Sequence, residues 1–334
     1  MKPYPFGTMR DGREVAVITL SAGGLRARVL TLGAILADLR LDGADWPLVL
    51  GSDEIGAYEG PMAWFGAVVG PVANRISGAR AELAGRELRF EANEGQNTLH
   101  GGGSGTSAQV WTVEDLATDR VTLSLRLAAG LGGFPGNRRI SAEYRLSAPA
   151  TLTLTLTATT DAPTLMNLAH HPYWNLDGSG TTTAHHLSVA ADAYLPTNAA
   201  CLPTGMRQPL GGDARDLRQA RSLAGLPPLD HCFLLAEASR ALSPVASLRG
   251  TRGISLQLAT TAPGLQVYDG AKLASAPWKG HGGAEYGPHC GLALEPQLWP
   301  DAPAHPDFPS VRLDPGARFH QQTRYHLTLD QEKP

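Results

Sequence analysis

Seven residues, Thr151-Leu-Thr-Leu-Thr-Leu-Thr157, alternate threonine and leucine without a break. Only an extended chain sends every second side chain to one side, so the run predicts a strand with its leucines in a core. Val121-Thr-Leu-Ser-Leu-Arg-Leu127 repeats the pattern, and Ile140-Ser-Ala-Glu-Tyr-Arg-Leu146 does so more loosely. Other β-rich runs lie at Val15–Leu20, Leu25–Leu41, Ile254–Leu258, Leu265–Tyr268 and Tyr325–Leu329. Clusters such as Gly101–Gly105 and Gly280–Gly283 punctuate them, and 38 glycines and 25 prolines favour short strands over long helices. Asp213 to Leu223 is the best helical candidate, and it is short. No linker and no fixed-period repeat divides the chain. The expected fold is all-β, a large antiparallel β-sandwich spanning residues 1–334 as one domain.

A hydrophobic fraction of 43% with 18% charged residues is that of a soluble globular protein. The net charge of -3 gives no reason to expect nucleic acid or an acidic membrane as partner. Cys201, Cys232 and Cys290 are odd in number and widely spaced, which points away from a disulfide framework and towards a reducing, cytoplasmic setting. No Cys-x-x-Cys or His-Glu-x-x-His spacing suggests zinc. The start reads as lacking a signal-peptide core, and the most apolar stretch, Ala63 to Ala73, is too short to span a bilayer.

Gly101–Gly105 has the composition of a phosphate loop, but such a loop needs a helix after it. Here Gln109-Val-Trp-Thr-Val113 follows and reads as strand. Two other segments carry more chemistry. If Asn167-Leu-Ala-His-His-Pro-Tyr-Trp-Asn-Leu176 is extended, Asn167, His171, Tyr173 and Asn175 share one face, and Leu168, His170, Trp174 and Leu176 the other. That phase puts His171, rather than His170, towards a polar cleft, with Pro172 as the point where the phase can slip. In Gly291-Leu-Ala-Leu-Glu295 the glutamate shares a face with Ala293, opposite Leu292 and Leu294. A carboxylate inside an apolar strand needs a partner or a function. The residues alone leave open a backbone-bonded core histidine and a structural ion pair.

These two segments resemble the active-site motifs of the aldose 1-epimerases, and six further segments fall in the same order. Gly70-Pro-Val-Ala-Asn-Arg-Ile76 is similar to the family's Gly-Arg-x-Ala-Asn-Arg-Ile, with Pro71 in place of the first arginine. Asn93-Glu-Gly-Gln-Asn-Thr-Leu-His-Gly-Gly102, Gly133–Asn137, Leu202–Gly205, Leu229–Phe233 and the tail Pro300–Ser310 match as well. The resemblance implies a single supersandwich of the galactose mutarotase type, without cofactor or metal, acting on a free aldose as monomer or homodimer. It implies Glu295 as general base and His171 as general acid. Arg75, His100 and Asp230 would hold the sugar, with Asn74, Tyr173 and Gln266 as further binding candidates.

The chain departs from the family at Asp269-Gly-Ala271, where Thr-Gly-Asn is usual, and at His170, where asparagine is common. Both bear on the shape of the pocket. Two other functions fit the same fold: an epimerase for a hexose 6-phosphate, which would want a cluster of cations, and a sugar-binding sandwich using Trp64, Trp111, Trp174 or Trp299. A metal-dependent isomerase built on His170-His171 or His185-His186 is disfavoured, because neighbours on a strand point to opposite faces.

Overall fold

The computed structural model describes residues 2–330. The leucine–threonine run lies inside the strand Thr151–Thr160, where Leu152, Leu154 and Leu156 are buried and Thr153, Thr155 and Thr157 are only partly covered. This strand stands in a nine-stranded sheet, between Arg138–Ser147 on one side and Phe319–Leu329 on the other. Arg120–Leu127 and Thr112–Leu116 extend the sheet one way. Ile254–Thr260, Ser243–Arg249, His186–Val189 and Arg221–Ser222 extend it the other way. Every named pair is antiparallel, some joined by short hairpins and others, such as Thr151–Thr160 with Phe319–Leu329, brought together from distant parts of the chain.

The apolar face of this sheet meets two smaller sheets. One has four strands, Tyr4–Thr8, Glu14–Ala22, Leu25–Leu30 and Leu36–Leu41 in that order, the last two joined by a turn through Gly33 and Ala34. The other has six strands, in the order Tyr173–Trp174, Leu292–Gln297, Gly264–Tyr268, Asp230–Leu234, Ala193–Leu195 and Gln208–Pro209. Leu154, Tyr144 and Tyr325 from the large sheet share one core with Trp174, Leu292, Leu294, Leu265 and Val267 from the six-stranded sheet. The six-stranded sheet is therefore buried behind. Its front carries two further apolar clusters, one around Phe65, Tyr173 and Tyr286 and one around Trp299, Cys232 and Phe134. A cleft opens between those two clusters.

The expected helix at Asp213–Leu223 is absent. Asp213 and Asp216 instead accept backbone N–H bonds from Arg215 and Arg218, closing two side-chain turns, and Arg221–Ser222 pairs as a short edge strand. Aspartates that satisfy the backbone locally compete with the helix. The one α-helix among the described residues is the four-residue Ile55–Tyr58, and none is long and apolar enough to cross a membrane. After Gly101–Gly105 comes a single 3-10 turn, Thr106–Ala108, and then the strand Thr112–Leu116, so the strand expected from Gln109 begins three residues later, at Thr112. Gly101 adopts φ +85°, and a Cβ there would lie 2.1 Å from the Gly70 carbonyl oxygen. Glycine is needed so that this loop can pack on the Gly70–Ile76 segment.

Candidate active site

The cleft holds about 220 Å³ and is walled by Trp64, Asn74, Arg75, His100, His171, Tyr173, Asp230 and Glu295 among others. The wall residues come from several separate stretches of sequence, and local geometry turns each inward. Residues Asn167–Leu176 form two short strands, Ala169–His170 and Tyr173–Trp174, interrupted at His171-Pro172. The interruption does not slip the phase. His171 and Tyr173 face the cleft, while His170 faces the large sheet, with Nδ1 3.1 Å from the Tyr325 hydroxyl. Backbone bonds from His171 N to Ala67 O and from Gly66 N to His171 O keep the break in place.

Glu295 lies on the second strand of the six-stranded sheet. Register places it opposite Gln266, two pairs along from Ala293 opposite Tyr268, and Tyr268 in turn opposite Asp230. Paired residues point the same way, so Glu295, Gln266, Tyr268 and Asp230 form one polar patch. Glu295 Oε1 lies 3.5 Å from His171 Nε2, with both side chains almost fully enclosed. At that distance the two are neighbours with room for a proton to pass, not a tight ion pair. Burial, reinforced by the nearby Asp230, pushes the Glu295 carboxyl well above its usual range, and Arg75 only partly offsets this. Burial also lowers His171, to about 4. Both shifts favour the neutral forms of the two groups, carboxylic acid and imidazole.

Arg75 and His100 come from the other wall. Asn74 and His100 both adopt left-handed φ, 60° and 53°, at the turns ending their segments. His100 N donates to Asn74 O, and Asn74 N donates to His100 Nδ1. With Nδ1 accepting, a neutral His100 ring carries its proton on Nε2 and offers a donor to the cleft. Burial, followed by the neighbouring His171 and Arg75, holds His100 well below its usual pKa and keeps it neutral. His100, His171 and Glu295 bring metal-ligand-type atoms within 4.8 Å of one another. The tautomer of His100 makes it a hydrogen-bond donor there, and a metal ligand would have to give up the bond to Asn74 or the proton on Nε2.

The Arg75 guanidinium makes a bidentate pair with Glu94, at 2.6 and 2.7 Å. Asp230 accepts a 2.6 Å bond from Gln266 Nε2, while burial raises its pKa. Gln266 stands behind Asp230 rather than in the cleft wall, and together with Asn74 it lines a small adjoining cavity. Trp64 packs on His100 at 5.1 Å between ring centroids, whereas Trp111, Trp174 and Trp299 are core residues. Glu94, Tyr268 and Lys272 also reach the cleft. Glu94 sits inside the matched motif Asn93–Gly102, but its pairing across 19 residues has no local signature. Asp269 takes two backbone bonds, from Leu229 and Ala271, and so ties the Asp230 strand to the Lys272 turn.

The family profile described as Aldose 1-epimerase matches residues 16–326. The galactose mutarotase of Mus musculus is 33% identical over 97% of this chain and 97% of its own. The aldose 1-epimerase of Escherichia coli (strain K12) is 31% identical over 96% of this chain and 97% of its own. Among solved structures, the aldose epimerase homologue from C. elegans superposes with a TM-score of 0.89 at 31% identity, covering 95% of this chain and 100% of that one. The galactose 1-epimerase of Lactobacillus acidophilus NCFM gives 0.82 at 26% identity, over 97% and 98%. A profile match over most of the chain, close relatives at this identity and a shared fold place the chain in the aldose 1-epimerase family.

Proposed function

We propose that the protein is an isomerase that interconverts the α and β anomers of a free aldohexose, galactose or glucose, by opening and closing the ring. The observation that carries this reading is the enclosed His171–Glu295 pair at 3.5 Å on the floor of a cleft lined with hydrogen-bonding groups. Glu295 takes the proton from the C1 hydroxyl, and His171 protonates the ring oxygen as the C1–O5 bond breaks. Rotation about C1–C2 presents the other face of the aldehyde, and the same two groups run in reverse.

One proton on the pair suits this cycle. Ring opening draws on the carboxylate–imidazolium form of the pair, which burial makes the minor one at rest, and leaves carboxylic acid and neutral imidazole, the forms that burial favours. The ring-opening step therefore runs towards the electrostatically relaxed state of the pair. His100 Nε2–H and the Arg75 guanidinium supply donors for sugar hydroxyls, and Asp230 supplies an acceptor. Asn74 and Gln266 hold His100 and Asp230 from behind, and Tyr173 closes the side next to His171.

Charge favours a neutral sugar over a hexose 6-phosphate. The cleft has two cations, Arg75 and Lys272, against three carboxyl groups, Glu94, Asp230 and Glu295, and Arg75 is already held by Glu94. A phosphate dianion would want unpaired cations instead. The free cysteines are in keeping with the reducing, cytoplasmic setting expected above.

Polarimetry on freshly dissolved α-galactose and α-glucose tests the reading. The wild type should collapse the slow change in rotation, and Glu295→Gln should return it to the solvent rate. A wild type no faster than buffer on both sugars, yet active on a sugar phosphate, would replace this function with the phosphorylated one.

A further inference from the structure

The strand Leu292–Gln297 carries a second polar residue on the face of Glu295. Side chains alternate along it, with Leu292 and Leu294 in the rear core and Ala293, Glu295 and Gln297 in front. The backbone around Gln297 is clamped on both sides. Asn167 receives the Leu298 N–H at 2.8 Å and donates to Leu298 O at 3.2 Å, while Gln321 Nε2 donates to Pro296 O at 2.9 Å. Gln297 therefore cannot turn to the rear, and it is fully buried.

Neither its amide nitrogen nor its amide oxygen has a hydrogen-bond partner among the described residues. Its neighbours on that face offer little. Gly264 stands opposite with no side chain, and Leu234 and Cys232 follow. Trp299 already donates to Pro263 O. A buried amide left unpaired is disfavoured strongly enough that native structures rarely keep one. Glu295 has the matching deficiency, since its Oε2 is buried and also lacks a partner. The two residues are two apart on one strand face, about 6.8 Å between Cα atoms; their amide and carboxyl groups make no direct bond, and one enclosed water would span the gap.

We propose that Gln297 is a positioning residue for Glu295: its amide donates through one enclosed water to Glu295 Oε2 and so fixes Oε1 as the oxygen presented to His171. The donation favours the carboxylate form, opposing the burial that favours the acid. The other groups facing Glu295 act in mixed directions. Asp230 raises it, Arg75 lowers it, and His171 and His100 are neutral imidazoles on the cleft side. Tyr173, Tyr325 and Cys232 are buried with pKa values raised by desolvation, so they add no charge. Gln297 is then the strand's own means of keeping a buried base ionisable.

This inference rests on the mutarotase reading for its kinetic consequence, but its physical content can be read without turnover. The carboxyl band of Glu295 is followed by infrared difference spectroscopy against pH, assigned by its loss in Glu295→Gln, and kcat and KM are measured alongside. Gln297→Met should raise the titration midpoint by about one pH unit, lower kcat about tenfold and leave KM within about twofold. Gln297→Glu, which keeps the length but replaces the donor with a second carboxyl, should move the midpoint further in the same direction and serves if the methionine variant does not fold. An unchanged midpoint in a folded variant overturns the proposal, because losing a donor to the carboxylate must raise the midpoint whereas losing a packing contact need not. A shifted midpoint in a protein that never accelerates mutarotation supports the hydrogen bond and removes the mutarotase reading instead.

Discussion

The nine-stranded and six-stranded sheets share the same alternation of apolar and polar side chains, and they use it for opposite ends. On Thr151–Thr160 the leucines are buried and the threonines look outward, so the polar face meets solvent and places little demand on its residues. On Leu292–Gln297 every residue is buried, and the polar face closes over a cleft and a second core. A polar side chain in the first setting is a surface residue. In the second it must be partnered or do chemistry. The same period therefore says which face a residue occupies, and the layers packed on that face decide what the residue is for.

The largest effect that follows from this contrast is on rate. Glu295→Gln should lower the mutarotation rate by about 10²–10⁴-fold, the usual contribution of one positioned general base, while Tm at pH 7–8 rises. The sign follows from the raised pKa. Below the ordinary carboxyl range both states of the protein hold the proton; above it the unfolded chain releases its proton while the buried site keeps it, so stability is lost progressively as pH climbs towards the folded value. A variant without that carboxyl escapes the loss. Thermal scans from pH 5 to pH 9 check it, and a difference between the two proteins that does not widen with pH would remove the assignment of Glu295 as a desolvated acid.

The opposite sheet should respond in stability and not in rate. Leu154, in the middle of the unbroken run, is buried in the core shared by both sheets. Leu154→Ala should cost about 2–5 kcal/mol in denaturant unfolding, with activity per folded molecule retained. A large fall in kcat for the folded fraction would mean that the two sheets are coupled more tightly than their packing suggests.

The contrast also marks where reading the sequence succeeds and where it stops. Thr151–Thr157, Val121–Leu127 and Ile140–Leu146 announce their strands because alternation is local, and the same rule selects His171 over His170 across the Pro172 break. It fails at Asp213–Leu223, where aspartate side chains, invisible to a periodicity count, take the backbone bonds a helix would need. Glu94 and Lys272 are not singled out either, because what makes them part of the cleft is a contact with segments far away in sequence. Gln266 was reached through its motif, yet its place behind Asp230 depends on strand pairing that spacing does not encode.

A smaller effect belongs to Asp230, at the far end of the polar patch. Asp230→Asn keeps the shape but loses the charged acceptor that Gln266 holds in place. Hydrogen bonds to a charged group are worth about 1.5–3 kcal/mol, so kcat/KM should fall by roughly 10–100-fold, mainly through KM if Asp230 binds the sugar equally in ground and transition states. A fall confined to kcat would assign it to the chemistry instead.

The smallest effect sharpens the comparison most, because it concerns two adjacent histidines on opposite faces. His170 touches the Tyr325 hydroxyl on the large sheet, its Nε2 has no partner, and burial, followed by the nearby His171, lowers its pKa to about 3. It takes no part in the cleft, so His170→Asn, the residue usual in the family, should leave kcat within about twofold. Its effect should appear in acid. The folded state keeps His170 neutral, while the unfolded chain binds a proton once pH falls below the ordinary histidine value, so stability is lost progressively from about pH 6.5 down to about 3. At pH 5.5, one unit into that window, removing the histidine should recover about 1.4 kcal/mol relative to its effect at pH 7.5. Unfolding at the two pH values measures this as a double difference. If His170→Asn instead lowers kcat while the double difference is zero, the alternation does not separate the two histidines into a core residue and a cleft residue, and the assignment of His171 as the acid loses its structural basis.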